Sequence, residues 1–229
     1  MTESGFARAL QEGRLRLGEA EGKAPPPGLR RFLEPRQAPR PGERCELCTE
    51  PLPDEHSHLV NMESRALVCS CRACYLLFTH TGAAQGKYRA VPERYLHDPA
   101  FALSDGQWDA LQIPVRMAFF FRNSALDQMV GFYPSPAGAT ESLLDLDTFA
   151  EVLAANPAAA TLVPDVEALL VNRTEAGPEC FLVPIDACYE LVGRVRRGWK
   201  GFDGGTEVWQ DIGAFFDGLR ERSRPMAMQ

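Results

Sequence analysis

Two cysteine pairs constrain this chain more than anything else in it. Cys45 and Cys48 are separated by two residues, Cys71 and Cys74 likewise, and 22 residues lie between the pairs. The stretch from Arg44 to His80 holds five of the seven cysteines and three of the four histidines. A two-residue spacing lets a tight turn aim both sulfurs at one point, and two such pairs can close a tetrahedron around an ion at about 2.3 Å from each sulfur. The competing reading, cysteines that are buried or disulfide-bonded, needs an oxidising compartment. The N-terminal segment MTESGFARALQEGRLRL has no apolar core of signal-peptide length, so the chain is expected to be cytoplasmic with reduced thiols.

The residues around the pairs suggest how they are carried. The first pair belongs on a knuckle. The second is followed by Tyr75, Leu76, Leu77 and Phe78, a run that suits a buried helix, and on a helical first turn Cys71 and Cys74 share a face. Between the pairs, His58 to Met62 and Arg65 to Val68 read as two short strands around a turn at Glu63 and Ser64. Knuckle, hairpin, then helix is the order of a treble-clef zinc finger. The expected ligands are Cys45, Cys48, Cys71 and Cys74; Cys69 competes with Cys71 for the third place, and His56 or His58 could replace a thiolate.

The pairs also resemble the iron site of a rubredoxin. Rubredoxin knuckles place Gly after the second Cys and Pro within one pair, whereas Thr49 and Tyr75 follow the second cysteines here and neither pair contains Pro. Zinc is therefore the expected ion, with iron as the alternative.

Charge limits the partners. The net charge is -7, divided as +3 over residues 1–44, -3 over 45–74 and -7 over 75–229. A nucleic-acid reader needs cations to displace counterions from phosphate, and the metal-binding segment offers only Arg65 and Arg72. No nucleic-acid partner is expected. Nor is a membrane one: no stretch approaches the roughly 20 apolar residues that span a bilayer, and the strongest, Met117 to Phe121, is strand-sized.

Three regions follow from the punctuation of the chain. Residues 1–41 form an N-terminal arm and a linker rich in proline, 42–80 the metal-binding module, and 81–229 the main domain. In the last, Ser104 with Gln107 makes a capping box for a short helix. Ile113 to Phe121 and Gln128 to Tyr133 look like a hairpin, as do Val166 to Val171 and Cys180 to Val183. Asp186 is expected to cap a helix with Cys188, Leu191, Val192, Val195 and Trp199 on one face. A final helix places Val208, Trp209, Ile212, Phe215, Phe216 and Leu219 in a core stripe. The loop from Pro134 to Glu141 is small-residue rich, so Pro134, Gly138, Thr140 and Glu141 are candidate contacts for a ligand or partner, set against a tight connection that needs Gly138. The expected fold class is α+β: a small four-cysteine zinc module of knuckle, hairpin and helix, followed by a mainly antiparallel sheet with helices on one face.

No nucleophile elbow, phosphate loop or supported pair of catalytic carboxylates is present in the sequence, which points away from an enzyme. One enzymatic pattern competes: the order Cys45, Cys48, His56 or His58, Cys71, Cys74, His80 resembles His-Asn-His nucleases, in which His58 would activate water and His80 would hold a divalent metal. The acidic surroundings argue against a DNA substrate. From about Gly42 to Arg222 the stretches CELC, HSHLV, CSCRACYLLF, YPSPAGATES, PDVEALLVNR, VPIDACYELVGRVRRGW and the final FF resemble an uncharacterised bacterial family, a domain of unknown function encoded beside nickel-iron hydrogenase genes. That resemblance implies an accessory role, with a hydrogenase subunit or a maturation factor as partner. It leaves a rubredoxin-like electron carrier as the alternative.

Overall fold

The computed structural model describes residues 44–226 other than 81, 144, 145 and 202. The expectations for the arm and linker over 1–41 lie outside the described residues. Residues from Arg44 on belong to one compact unit and build two sheets.

The smaller sheet has the order β2-β1-β3, with β1 Ser57–Asn61, β2 Leu67–Ser70 and β3 Tyr88–Ala90. The β1–β2 hairpin and the following helix α1, Arg72–Leu77, are the expected elements. The third strand was not attributed to this module. It pairs antiparallel with β1 through Leu59↔Ala90 and Val60↔Arg89, so the sheet draws in chain beyond residue 80. Tyr75 is buried against Leu59 and Val68 and Phe78 packs half-buried beside it, but Leu76 and Leu77 are 53% and 66% exposed, so two of the four residues expected to be buried meet the core.

The larger sheet has seven strands in the order β10-β4-β9-β8-β5-β6-β7. Their ranges are β4 Leu96–Asp98, β5 Met117–Asn123, β6 Gln128–Ser135, β7 Gly138–Ser142, β8 Glu167–Thr174, β9 Gly177–Pro184 and β10 Arg224–Pro225. All neighbours are antiparallel except β10 with β4. Both expected hairpins are present, and a third, β6–β7, is built around the tight connection at Gly138. Ser135 pairs with Gly138 around a two-residue turn, and Thr174 pairs with Gly177 in the same way. Both glycines hold positive φ, +125° and +128°, which side chains rarely adopt.

Side chains alternate across the central strands, and both faces are covered. Met117, Phe119, Ala168, Leu170, Phe181 and Val183 meet the two long helices, α4 Ile185–Gly198 and α5 Thr206–Arg222. Ala118, Phe120, Leu169, Val171, Cys180 and Leu182 meet Trp108 of α2, Asp105–Ala110, and Phe149 of α3, Leu146–Ala155. The long helices thus pack on one face as expected, and the short helices close the other. Two covered faces explain why β5 and β8 read as continuous apolar runs instead of alternating with polar residues. Each fully buried Phe or Leu of this double layer contributes about 1.5–3 kcal/mol. The capping box forms, with Ser104 Oγ accepting from the Gln107 N–H and Gln107 Oε1 from the Ser104 N–H. Trp209 departs from the expected core stripe: it is 44% exposed and its indole N–H donates to the Asp203 carbonyl at 2.8 Å.

The sheets are joined by apolar packing and by buried carboxylates. Val60 and Val91 pack against Val166 and Ile185. Asp165, 3% exposed, accepts from Arg65 at 2.6 Å, Arg89 at 3.0 Å and the Ser124 N–H at 2.9 Å. Glu167, fully buried, accepts a two-pronged contact from Arg94 at 2.8 and 2.6 Å and the Val163 N–H at 2.7 Å. Buried charges persist only when matched in this way.

Candidate metal centre

The knuckle is built by backbone hydrogen bonds. The Cys45 N–H donates to the Glu50 carbonyl and the Thr49 N–H to the Cys45 carbonyl, each at 2.8 Å, while Arg44 and Pro51 form an isolated antiparallel bridge. Closing this turn forces Thr49 to φ +65°, an unusual conformation for a β-branched residue. The knuckle is anchored to β2 at two points. Glu46 N–H donates to the Cys69 carbonyl at 3.0 Å, and Cys69 N–H donates to Glu46 Oε1 at 2.7 Å.

The second pair sits where β2 hands over to α1. Cys71 is the residue capping the helix, with extended backbone, and its sulfur accepts from the Cys74 N–H at 3.4 Å. Cys74 falls in the first turn, one step round from its partner.

These two substructures bring the sulfurs of Cys45, Cys48, Cys71 and Cys74 within 4.8 Å of one another, with Cys48 and Cys71 3.6 Å apart. A tetrahedron with metal–sulfur bonds of about 2.3 Å has sulfur–sulfur edges near ~3.8 Å. The spacing is therefore that of a closed four-thiol site and well beyond a disulfide of ~2.05 Å. All seven cysteines are free thiols. Cys45 is buried, Cys48 exposed, and Cys71 and Cys74 are half-buried.

The four thiols do not titrate alike. Burial at Cys45 opposes ionisation, but the backbone N–H groups of Cys71, Cys48 and Leu47 and the Cys48 thiol outweigh it and bring the pKa down to about 6. At Cys48 the Glu50 backbone N–H favours the thiolate, yet contacts with the Cys45 and Cys71 sulfurs prevail and the pKa rises. Cys74 is pushed well above the ordinary thiol value by burial first, then by the neighbouring Cys48, Cys71 and Cys45 sulfurs. Crowded sulfurs of this kind share protons until a cation replaces them. The cluster can hold a metal ion.

Position separates Cys69 from Cys71. Cys71, not Cys69, completes the four-sulfur group, and neither His56 nor His58 enters it. Instead, His56, His58 and Cys69 form a group of their own, again with ligand atoms within 4.8 Å of one another. His80 is exposed, and among the described residues it belongs to neither group.

The other candidate residues are apart from this centre. Pro134, Gly138, Thr140 and Glu141 lie in the β6–β7 hairpin at one edge of the large sheet. Pro134 is buried and the Thr140 hydroxyl is engaged with Ser135 Oγ at 2.9 Å. The stretch forms the tight connection expected around Gly138, which holds φ +125° directly after the two-residue turn.

Asp186 does not cap α4, whose cap position is Pro184; it stands in the first turn and accepts from His58 Nδ1 at 2.9 Å across 128 positions of chain. No local pattern signals such a contact. No helix among the described residues is long and apolar enough to cross a membrane.

Residues 44–223 match the model of a family described as "Family of unknown function (DUF5947)". No curated protein and no solved structure matches the chain.

Proposed function

The chain belongs to the family of unknown function DUF5947, and from its four-thiol cluster we propose that it is a zinc-stapled, non-enzymatic accessory protein of the cytoplasm. Cys45, Cys48, Cys71 and Cys74 hold the ion. The observation that carries this reading is the closed set of four sulfurs within 4.8 Å: a site filled by four protein ligands keeps no position for water or substrate and contributes folding energy instead of Lewis-acid chemistry. The zinc fixes the knuckle to α1, and through the β1–β2 hairpin it fixes the small sheet against the large one. A rigid surface of this kind suits a protein that docks on another.

The partner follows from the resemblance of CELC, CSCRACYLLF and PDVEALLVNR to the family encoded beside nickel-iron hydrogenases. The protein supports maturation of such an enzyme by binding one of its subunits or a maturation factor. A second reading, an iron-bearing electron carrier, is favoured by one feature: Thr49 adopts the left-handed backbone, φ +65°, at the position where rubredoxin knuckles carry Gly.

Affinity purification of the tagged chain from cells expressing a nickel-iron hydrogenase, paired with deletion of its gene, tests the role. Recovery of a hydrogenase subunit or maturation factor and loss of hydrogenase activity are expected. An empty pull-down with full activity in the deletion strain would end the proposal.

A further inference from the structure

Strand register assembles a second ligand set beside the four thiols. His56 immediately precedes β1 and His58 lies two residues further on, so extended backbone sends both side chains to one side. In the β1–β2 ladder His58 stands directly opposite Cys69, and opposed residues have Cβ atoms about 4.5–5.5 Å apart. A ring nitrogen of each histidine and the Cys69 sulfur consequently fall within 4.8 Å of one another.

The outer contacts orient both rings as metal ligands are oriented. His56 Nδ1 meets the Pro53 carbonyl at 3.0 Å, and His58 Nδ1 meets Asp186 Oδ2 at 2.9 Å. Both oxygens accept, so in each neutral ring Nδ1 carries the proton and Nε2 keeps a free lone pair. Metal-binding histidines characteristically donate their other N–H to a carbonyl or carboxylate. His56 Nε2 is buried and without a hydrogen-bond partner; a buried polar atom in that state is costly unless something satisfies it. The Glu46 carboxylate, bonded to the Cys69 N–H, and Asp186 add negative charge around the group.

We propose that His56, His58 and Cys69 form a second transition-metal site, distinct from the four-thiol centre, that takes a divalent ion of the zinc class through two imidazole nitrogens and one thiolate. Three protein ligands leave a coordination position open, which separates this site chemically from the closed one. Both histidines also line a cleft of about 900 Å³, together with Asp186, Glu93, Tyr95 and Arg194 among others, while Cys69 lies outside it. A water molecule or a small anionic group entering the cleft completes the coordination. The site depends neither on the hydrogenase partner nor on which ion the four thiols hold.

The test is a Co²⁺ titration of the metal-free full chain, followed by the visible ligand-field and sulfur-to-metal bands, for the native sequence, for Cys69→Ser, and for His56→Asn combined with His58→Gln. The native chain is expected to take two equivalents with two different spectra, one of four-sulfur character and one of mixed nitrogen and sulfur character. Each variant is expected to keep the four-sulfur equivalent, which also reports that the module is folded, and to lose the other. Zn²⁺ competition should displace both. Saturation of the native chain at one equivalent would overturn the proposal. So would a mixed spectrum that survives in the double variant, or loss of both equivalents from Cys69→Ser with an unchanged far-ultraviolet circular dichroism spectrum.

Discussion

Asp165→Ala is expected to destabilise the folded chain by about 4 kcal/mol. The side chain is 3% exposed and accepts three hydrogen bonds, from Arg65 and Arg89 of the small sheet and from the Ser124 N–H of the large one. A hydrogen bond to a charged group contributes about 1.5–3 kcal/mol. Arg65 and Arg89 are 32% and 40% exposed and can rehydrate, so their combined loss is discounted to about 2 kcal/mol. The Ser124 N–H, left unsatisfied, adds about 1 kcal/mol, and placing Ala at φ +68° adds about 1 more. Asp165→Asn retains an acceptor and tolerates the left-handed backbone, so its cost should be near ~2 kcal/mol. Urea unfolding of both variants, compared at equal slope, reads these numbers. The reasoning fails if both variants lie within about 0.5 kcal/mol of the native chain, the range of an ordinary surface change, or if Asn costs as much as Ala.

Three further outcomes concern the metal centre. Cys48→Ser and Cys74→Ser should each lower the melting temperature and the metal occupancy, because losing one of four ligands forfeits coupled binding and folding energy; unchanged values in both would refute the ligand assignment. Metal uptake at neutral pH should release protons from Cys48 and Cys74, whose pKa values are raised. Affinity should fall as pH falls, and further once Cys45, brought down to about 6, is protonated as well. Calorimetry in buffers of different ionisation enthalpy measures the protons, and a heat that does not vary with the buffer would contradict the sign. Thr49→Gly should stabilise the knuckle by about 0.5–1 kcal/mol, since relief of a left-handed β-branched residue exceeds the entropy that glycine adds to the unfolded chain. Thermal unfolding of the metal-loaded variant checks this; a lower melting temperature would mean that the Thr49 side chain makes a contact worth more than the strain.

The parts of the fold that local chemistry governs were legible in the sequence. Cysteine spacing announced the knuckle, Ser104 and Gln107 the start of α2, and the apolar runs over Phe119 and Leu170 the central strands. What escaped depends on partners distant in sequence. Spacing to Cys74 favours Cys71 over Cys69, but it does not show what becomes of the spare thiol: β2 ends at Ser70, which makes Cys71 a helix cap and leaves Cys69 on the strand. Around residues 134–141 the tight connection at Gly138 was legible, but the pairing of the strands on either side of it was not. β3 finds its partner in β1 across more than 25 residues of chain, a pairing that no local pattern signals. Asp186 looked like a cap because it opens a helix after Pro184; its bond to His58 required the small sheet to settle against α4. Trp209 fits the apolar period of α5, and only the Asp203 carbonyl, reached from the preceding turn, explains why its ring stays partly in water.

Metal content by mass spectrometry, with a visible spectrum, on untagged protein purified without added metal addresses the central claim most directly. The expected result is a colourless sample holding zinc, with one equivalent fewer in Cys74→Ser than in the native chain. A red sample that holds iron and bleaches on reduction, or a folded native chain that holds no metal, would contradict it.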